Sequence, residues 1–312
     1  MNWCNWLAAA AFAPTLAVAA DWISIATIRE GSVTMLRGAS RLQVEEGVRL
    51  QADDVVETSP KAFLQMEFPD GAVIDLGGAT RVLVNLPVEQ KGVRPSLYVL
   101  TGWVKLIAPA SGNAILAVSS PRFDLVGVRG TVVAKVGSAE SSIFAEAGEA
   151  AVIDRRRGVA APARLKSGEF VWMKGDSDLV RMVRLPDSFI SSTPAPFRDT
   201  LPRRWSAFAD RNLAPRSAGT FSYNEVEPWL TTDRAVGRRF SRLWAAKVSD
   251  PAFREGLVAN LEKHPEWFFV LYPDCCDASK QDAAPTAPSP ISEKSATPSA
   301  PKIGGPLDTK GF

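Results

Sequence analysis

From residue 21 to about residue 185, apolar and polar side chains alternate in short runs separated by Gly-rich turns. In the run at 61–68, Leu64, Met66 and Phe68 fall on one side and Phe63, Gln65 and Glu67 on the other. A period of two is that of a strand, and the first set is the face expected to meet a core. Asp70-Gly71 follows, a hairpin signal because Gly accepts a positive φ. The segments AVIDL, TRVLVNL, SLYVL, WVKLI, AILAV, TVVAKV and SSIFA continue at short intervals. So many β-branched runs without a helical period predict a mainly β fold. A solenoid-like stack and an antiparallel sandwich both satisfy that pattern. A loose Gly-led motif recurs at Gly31, Gly102 and Gly148, but its spacing is too uneven for a repeat array.

The period changes near Tyr223. Val236, Phe240, Leu243, Trp244 and Val248 recur at helical spacing behind the N-cap candidates Thr232 and Asp233. Arg234, Arg238, Arg239 and Arg242 fall mainly on the opposite side. Asp250-Pro251 starts a second helix, since proline loses nothing at the first helical position. Phe253, Leu257 and Leu261 line it, and His264-Pro265 ends it. About fifty residues rarely stabilise themselves, so this part is expected to dock on the β-domain or on a partner protein.

The resulting division is 1–20 signal peptide, 21–185 all-β domain and 186–220 Pro/Arg-rich linker, then 221–273 small helical domain and 274–312 disordered tail. The first twenty residues carry no charge and end in small residues at the spacing a signal peptidase needs. They predict export to the periplasm, the alternative being an anchor in the inner membrane. Cys4 would leave with the signal. Beyond Asp21 no run of residues is apolar and long enough to cross a bilayer. The tail is too poor in apolar residues to bury a core.

Charge and chemistry narrow the function. With 36 Lys plus Arg against 34 Asp plus Glu, the net charge of +2 gives no basis for nucleic-acid binding. The single His and the adjacent Cys275 and Cys276 fit no metal spacing. No phosphate loop or nucleophile–His arrangement is present, so no enzymatic activity and no cofactor are expected.

The order of the β segments is itself informative. A "G-x-x-L-x-x-D-x-V-x-x-T" opening falls at Gly47, Leu50, Asp53, Val55 and Thr58, and a "D-G-x-x-I-x-L" hairpin at Asp70, Gly71, Ile74 and Leu76. A "G-x-V" strand follows at Gly102 and Val104, and an "R-G-T" at Arg129, Gly130 and Thr131. In this order, over about residues 30–175, they resemble the FecR domain, the periplasmic domain of the iron-dicitrate regulator family. The resemblance implies an all-β, solenoid-like fold and a role in signalling. The sequence departs from the signal-relay members, which place a sigma-factor-holding domain and a membrane helix before this domain; neither fits ahead of residue 21. It therefore resembles the stand-alone, exported members.

The matched residues Gly47, Asp53, Asp70, Gly71, Gly102, Arg129, Gly130 and Thr131 read as structural, the glycines standing where strands turn. Candidates for contact with a partner are Trp103 and Trp172 as stacking platforms, and Arg155, Arg156 and Arg157 as a basic hairpin tip. Two non-enzymatic functions follow. One is an envelope signalling accessory acting through protein–protein contacts; the other is a binding module for peptidoglycan or exopolysaccharide.

Overall fold

The computed structural model describes residues 22–84, 94–109, 116–157 and 161–276. The predicted signal peptide and nearly all of the predicted tail lie outside them. The first strands are β1 (Trp22–Glu30), β2 (Val33–Arg37), β3 (Ser40–Gln43), β4 (Arg49–Gln51) and β5 (Val55–Thr58). Then come β6 (Phe63–Glu67), β7 (Val73–Leu76), β8 (Arg81–Val84), β9 (Arg94–Ile107) and β10 (Leu116–Ser119). The last are β11 (Phe123–Val136), β12 (Glu140–Asp154), β13 (Ala163–Lys166), β14 (Phe170–Lys174), β15 (Val180–Met182) and β16 (Arg216–Ser217).

The long strands β9, β11 and β12 join two layers. The first half of β9 pairs antiparallel with β8 and parallel with β10, whereas its second half pairs with β7 and β11. SLYVL and WVKLI, read from the sequence as separate segments, are thus one strand bent at Gly102. That glycine has φ 110°, and a Cβ there would lie 2.3 Å from Thr80 Oγ1. The β11–β12 pair bends likewise where Gly130 and Gly148 face each other, both at positive φ. Gly102 and Gly130 therefore bend strands from within, correcting the reading that placed them at turns. Gly47 (φ 89°), Gly71 (φ 84°) and Asp53 (φ 72°) do occupy loops. Asp70 Oδ1 accepts from the Ala72 amide at 3.0 Å, Arg129 pairs with Glu149 at 3.4 Å, and Thr131 sits in β11 opposite Ile107.

Alternation places Met35, Val56, Val82, Leu97 and Val99 of one layer, and Leu64, Met66, Val104, Val132 and Val171 of the other, in a shared core. The neighbouring residues point outward and are apolar too: Leu36, Val55, Leu83 and Tyr98 from the first layer, Phe63, Trp103, Val133 and Phe170 from the second. Apolar surface on both faces must be covered twice over. The sequence reading left one face of 61–68 open, but Gln65 and Glu67 are buried as well.

The stretch expected to be a linker is the second layer's cover. It holds α1 (Asp187–Ser192), a turn at Ala195–Arg198 and α2 (Trp205–Phe208). Phe189 and Phe197 plug the outer face beside Trp103 and Phe63. Polar groups fasten it: Lys105 Nζ donates to Phe197 O at 2.6 Å, and Glu67 accepts from the amides of Arg204 (2.6 Å) and Trp205 (3.2 Å). Three phenylalanines among prolines and arginines carry no period, which is why composition alone suggested a free chain.

The first layer is covered by the helical part, which thus docks on the β-domain. It comprises α3 (Tyr223–Leu230), α4 (Arg234–Leu243), α5 (Pro251–Ala259) and α6 (Phe268–Leu271). The capping residues act as the pattern predicts, Asp233 accepting from Ala235 N and Asp250 from Ala252 N. Trp229, Phe240, Trp244, Phe253 and Trp267 form one buried apolar cluster with Leu36, Val55, Leu83 and Tyr98, Trp229 lying against Tyr98. Charged and polar links cross the junction: Arg41–Glu225 (2.6 Å), Tyr98 Oη–Thr232 Oγ1 (2.8 Å), Arg155–Asp233 and Arg239–Asp53.

His264 closes the helical turn Leu261–Lys263, as the pattern predicts, and is fully buried there, with Nε2 3.0 Å from the Tyr223 hydroxyl. Its Nδ1 has no partner among the described residues. Burial disfavours the imidazolium and holds its pKa below the usual 6.5. The folded state therefore binds fewer protons than the unfolded one, so stability is complete above about pH 6.5 and declines as pH falls below it. The buried Asp75, its pKa raised to about 7, acts in the opposite direction over the same range. The His264 contribution is therefore read as the difference between the protein and a His264→Gln variant. In urea titrations from pH 7 to 5.5 the protein should lose stability relative to that variant, by at most about 1.4 kcal/mol per pH unit. A difference that does not change with pH would count against the imidazole as its source.

Residues 272–312 form a separate unit. Its described part is one turn, Pro273–Cys276, in which the exposed Cys275 donates its thiol to Tyr272 O at 3.1 Å.

Candidate functional site

The outer face of the second layer carries a row of side chains in register across four strands. Trp103 of β9 lies opposite Lys135 of β11, Lys135 opposite Ser142 of β12, and Ser142 opposite Trp172 of β14. The two tryptophans singled out from the sequence are therefore ends of one ladder, but their environments differ. Phe189 of α1 sits over Trp103 with ring centroids 5.2 Å apart, leaving that indole only 9% exposed and part of the packing. Trp172 is half-buried and lines an open cleft of about 270 Å³. Ser142, Ser188, Ser192, the apolar Phe170, Met182, Pro186 and Phe189, and the Lys135–Glu140 pair, 3.6 Å apart, form the remaining walls. Lys174 Nζ lies 5.6 Å from the Trp172 ring. The cleft thus offers three aromatic residues, three serines and one ion pair, with no nucleophile–base arrangement.

Beside the cleft the sheet ends. β15 pairs with β14 on one side and with no other strand among the described residues. Val180 and Val183 (90% exposed) on this edge, and Ile190 on α1, stand out into solvent. A short edge with exposed apolar side chains and free backbone groups can accept an added strand.

The three arginines at 155–157 do not form a free basic tip. They make a 3₁₀ turn whose guanidinium groups are used internally. Arg155 donates to Ser120 O at 3.0 Å and pairs with Asp233, fixing the start of α4 to the β-domain. Arg156 holds Asp154 at 2.8 Å and donates to Ser177 O at 2.9 Å. That hydrogen bonding keeps the Asp154 carboxyl below its usual pKa. Arg157 pairs with Asp178. The charges a polymer would need are already neutralised.

Beneath the strap lies a polar cluster that the sequence did not reveal. Gln65, Asp75 and Lys105 follow one another across β6, β7 and β9, with Glu67 one step along. Burial pushes the Asp75 pKa up to about 7, against the opposing pull of Lys105. The strap seals the cluster from solvent, so its role is to fasten that strap. Among the described residues, no three of His, Cys, Asp and Glu gather as metal ligands would, and no helix is long and apolar enough to cross a membrane.

The fold is that of a β-rich module with a small helical part. Comparison supplies the family: residues 54–153 match the model described as FecR protein, and the chain carries a domain of that family. Two crystal structures of a proposed anti-sigma factor from Parabacteroides distasonis ATCC 8503, at 2.50 and 1.65 Å resolution, are similar in part. Each is 14% identical, with a TM-score of 0.36 over 42% of this chain and 59% of that one. The chain thus spans less than two thirds of that protein's length. No curated protein matches the sequence.

Proposed function

We propose that the protein is a non-enzymatic, exported regulatory accessory that acts on another envelope protein through the open edge at β15. The observation carrying this reading is the coincidence of a FecR domain with a sheet that ends in an exposed apolar edge. FecR domains belong to a regulatory family, and the uncharged, Ala-rich start of the chain supports export. The partner would supply an extended segment, its backbone pairing with β15 and its apolar side chains meeting Val180, Val183 and Ile190. Crosslinking and capture from envelope extracts should recover one specific protein. The Val180→Glu, Val183→Glu variant should reduce that capture more than tenfold without moving the unfolding midpoint, because both side chains are exposed. Undiminished capture would remove β15 from the interface.

Trp172 in an open cleft that also holds Ser142, Ser188 and Ser192 favours a second reading, a polysaccharide site in the cleft. Sedimentation with purified peptidoglycan, lost in Trp172→Ala and retained in the edge variant, would give that reading precedence.

A further inference from the structure

The helix α4 has a charge arrangement that its own stability does not call for. Its sequence, RAVGRRFSRL, contains four arginines and no acidic residue. Arg239 is half-buried and paired with Asp53. Arg234, Arg238 and Arg242, one turn apart, are exposed and form a single stripe, with no side-chain partner among the described residues. Like charges at this spacing repel, and Arg234 in the first turn opposes the helix dipole, where an acidic residue would be favourable. A helix face selected only for solubility would mix signs along such a stripe.

A second observation concerns the segment packed on α4. The turn at Pro265–Trp267 packs on α4, its Glu266 side chain closing over the bare face of Gly237. Phe268 and Phe269 follow immediately, with Phe269 63% exposed and the two rings edge to face. Exposed arginines on α4 and an exposed aromatic ring two residues after the turn that packs on α4 would, on one surface, combine attraction to anionic headgroups with an apolar group that enters the headgroup–acyl boundary.

We propose that the helical part has a membrane-facing surface, formed by the Arg234–Arg238–Arg242 stripe and Phe269, that takes an anionic phospholipid bilayer as its partner. The charge specifies the lipid, and the ring supplies the apolar anchor. This surface belongs to the helical cover and leaves the β15 edge and the Trp172 cleft free, so the two proposals can fail separately.

The test is sedimentation of the full chain with vesicles of neutral phosphatidylcholine or of phosphatidylcholine with about a third phosphatidylglycerol, at low and at moderate salt. Binding to the anionic vesicles should exceed binding to neutral ones and weaken with salt. Each arginine near such a surface is worth about fivefold, so the Arg234→Gln, Arg238→Gln, Arg242→Gln variant should bind about a hundredfold more weakly. Phe269→Ser should weaken binding to the anionic vesicles at both salt concentrations. Both substitutions fall on exposed side chains, and circular dichroism verifies the fold. Equal binding to both vesicle types, unchanged by the arginine variant, would place any attachment in the apolar N-terminal segment and overturn the proposal. Absence of binding to either vesicle would overturn it as well and assign the stripe to an acidic protein.

Discussion

Alanine at Gly148 should lower the stability of the protein by about 3–5 kcal/mol, in the range reserved for changes that break a specific structural feature. The residue sits at φ +79° in the middle of β12, and a Cβ built there would lie 1.8 Å from the Arg129 carbonyl oxygen. Neither flexible side chains nor solvent can absorb that overlap, because the atom belongs to the paired strand. A positive φ alone costs an alanine about 1–3 kcal/mol, so Gly38→Ala provides the control. Gly38 has φ +53° with nothing within 4 Å of the added carbon. Urea midpoints of the two variants separate the dihedral cost from the clash. If both fall by the same amount, the bend at the Gly130–Gly148 crossing tolerates a side chain, and the reading of that pair is wrong.

That bend also shows what was legible in the sequence. Local signals were read reliably: the Asp70-Gly71 turn, the proline-led start of α5 and the Asp233 cap of α4 each depend on residues a few positions apart. The FecR resemblance arose from such pieces in order, and the family match at 54–153 covers the hairpin and the "R-G-T". Features that depend on distant partners were not legible. SLYVL and WVKLI read as two strands because Gly102 looks like a turn until Thr80 is seen packed against its α-carbon. Arg155 looked solvated because Asp233, its partner, lies 78 residues away in the chain. Gln65 and Glu67 fell outside the predicted core face because a strap of scattered phenylalanines, rather than a periodic element, covers them. Of the five candidate contact residues, Trp172 lines the open cleft, Trp103 is packed under Phe189, and Arg155, Arg156 and Arg157 are paired with Asp233, Asp154 and Asp178. The edge residues Val180 and Val183 were missed because an exposed valine in a strand has the same pattern as a buried one.

Ending the chain after Ala218 should leave a β-domain that does not remain dispersed. The deletion uncovers Leu36, Val55, Leu83 and Tyr98 at once, all of them nearly or fully buried in the intact protein. Each large apolar side chain returned to water loses about 1.5–3 kcal/mol, and together they form one contiguous patch of the kind that drives association. It also breaks the Arg41–Glu225 and Arg155–Asp233 links, leaving Arg155 with its backbone acceptor Ser120 O and a distant Asp124 at 3.9 Å. Light scattering and binding of an apolar dye, compared with the full chain, measure the result. A dispersed truncated monomer with an unchanged unfolding midpoint would show that the helical part is an appended domain rather than a cover. The expected outcome bears on how partners are sought. Deleting everything after residue 186 strips both covers, so loss of capture in such a variant reports collapse of the sheet. Only surface substitutions that leave both covers in place, at β15, Trp172 or the α4 arginines, can separate partner contact from folding.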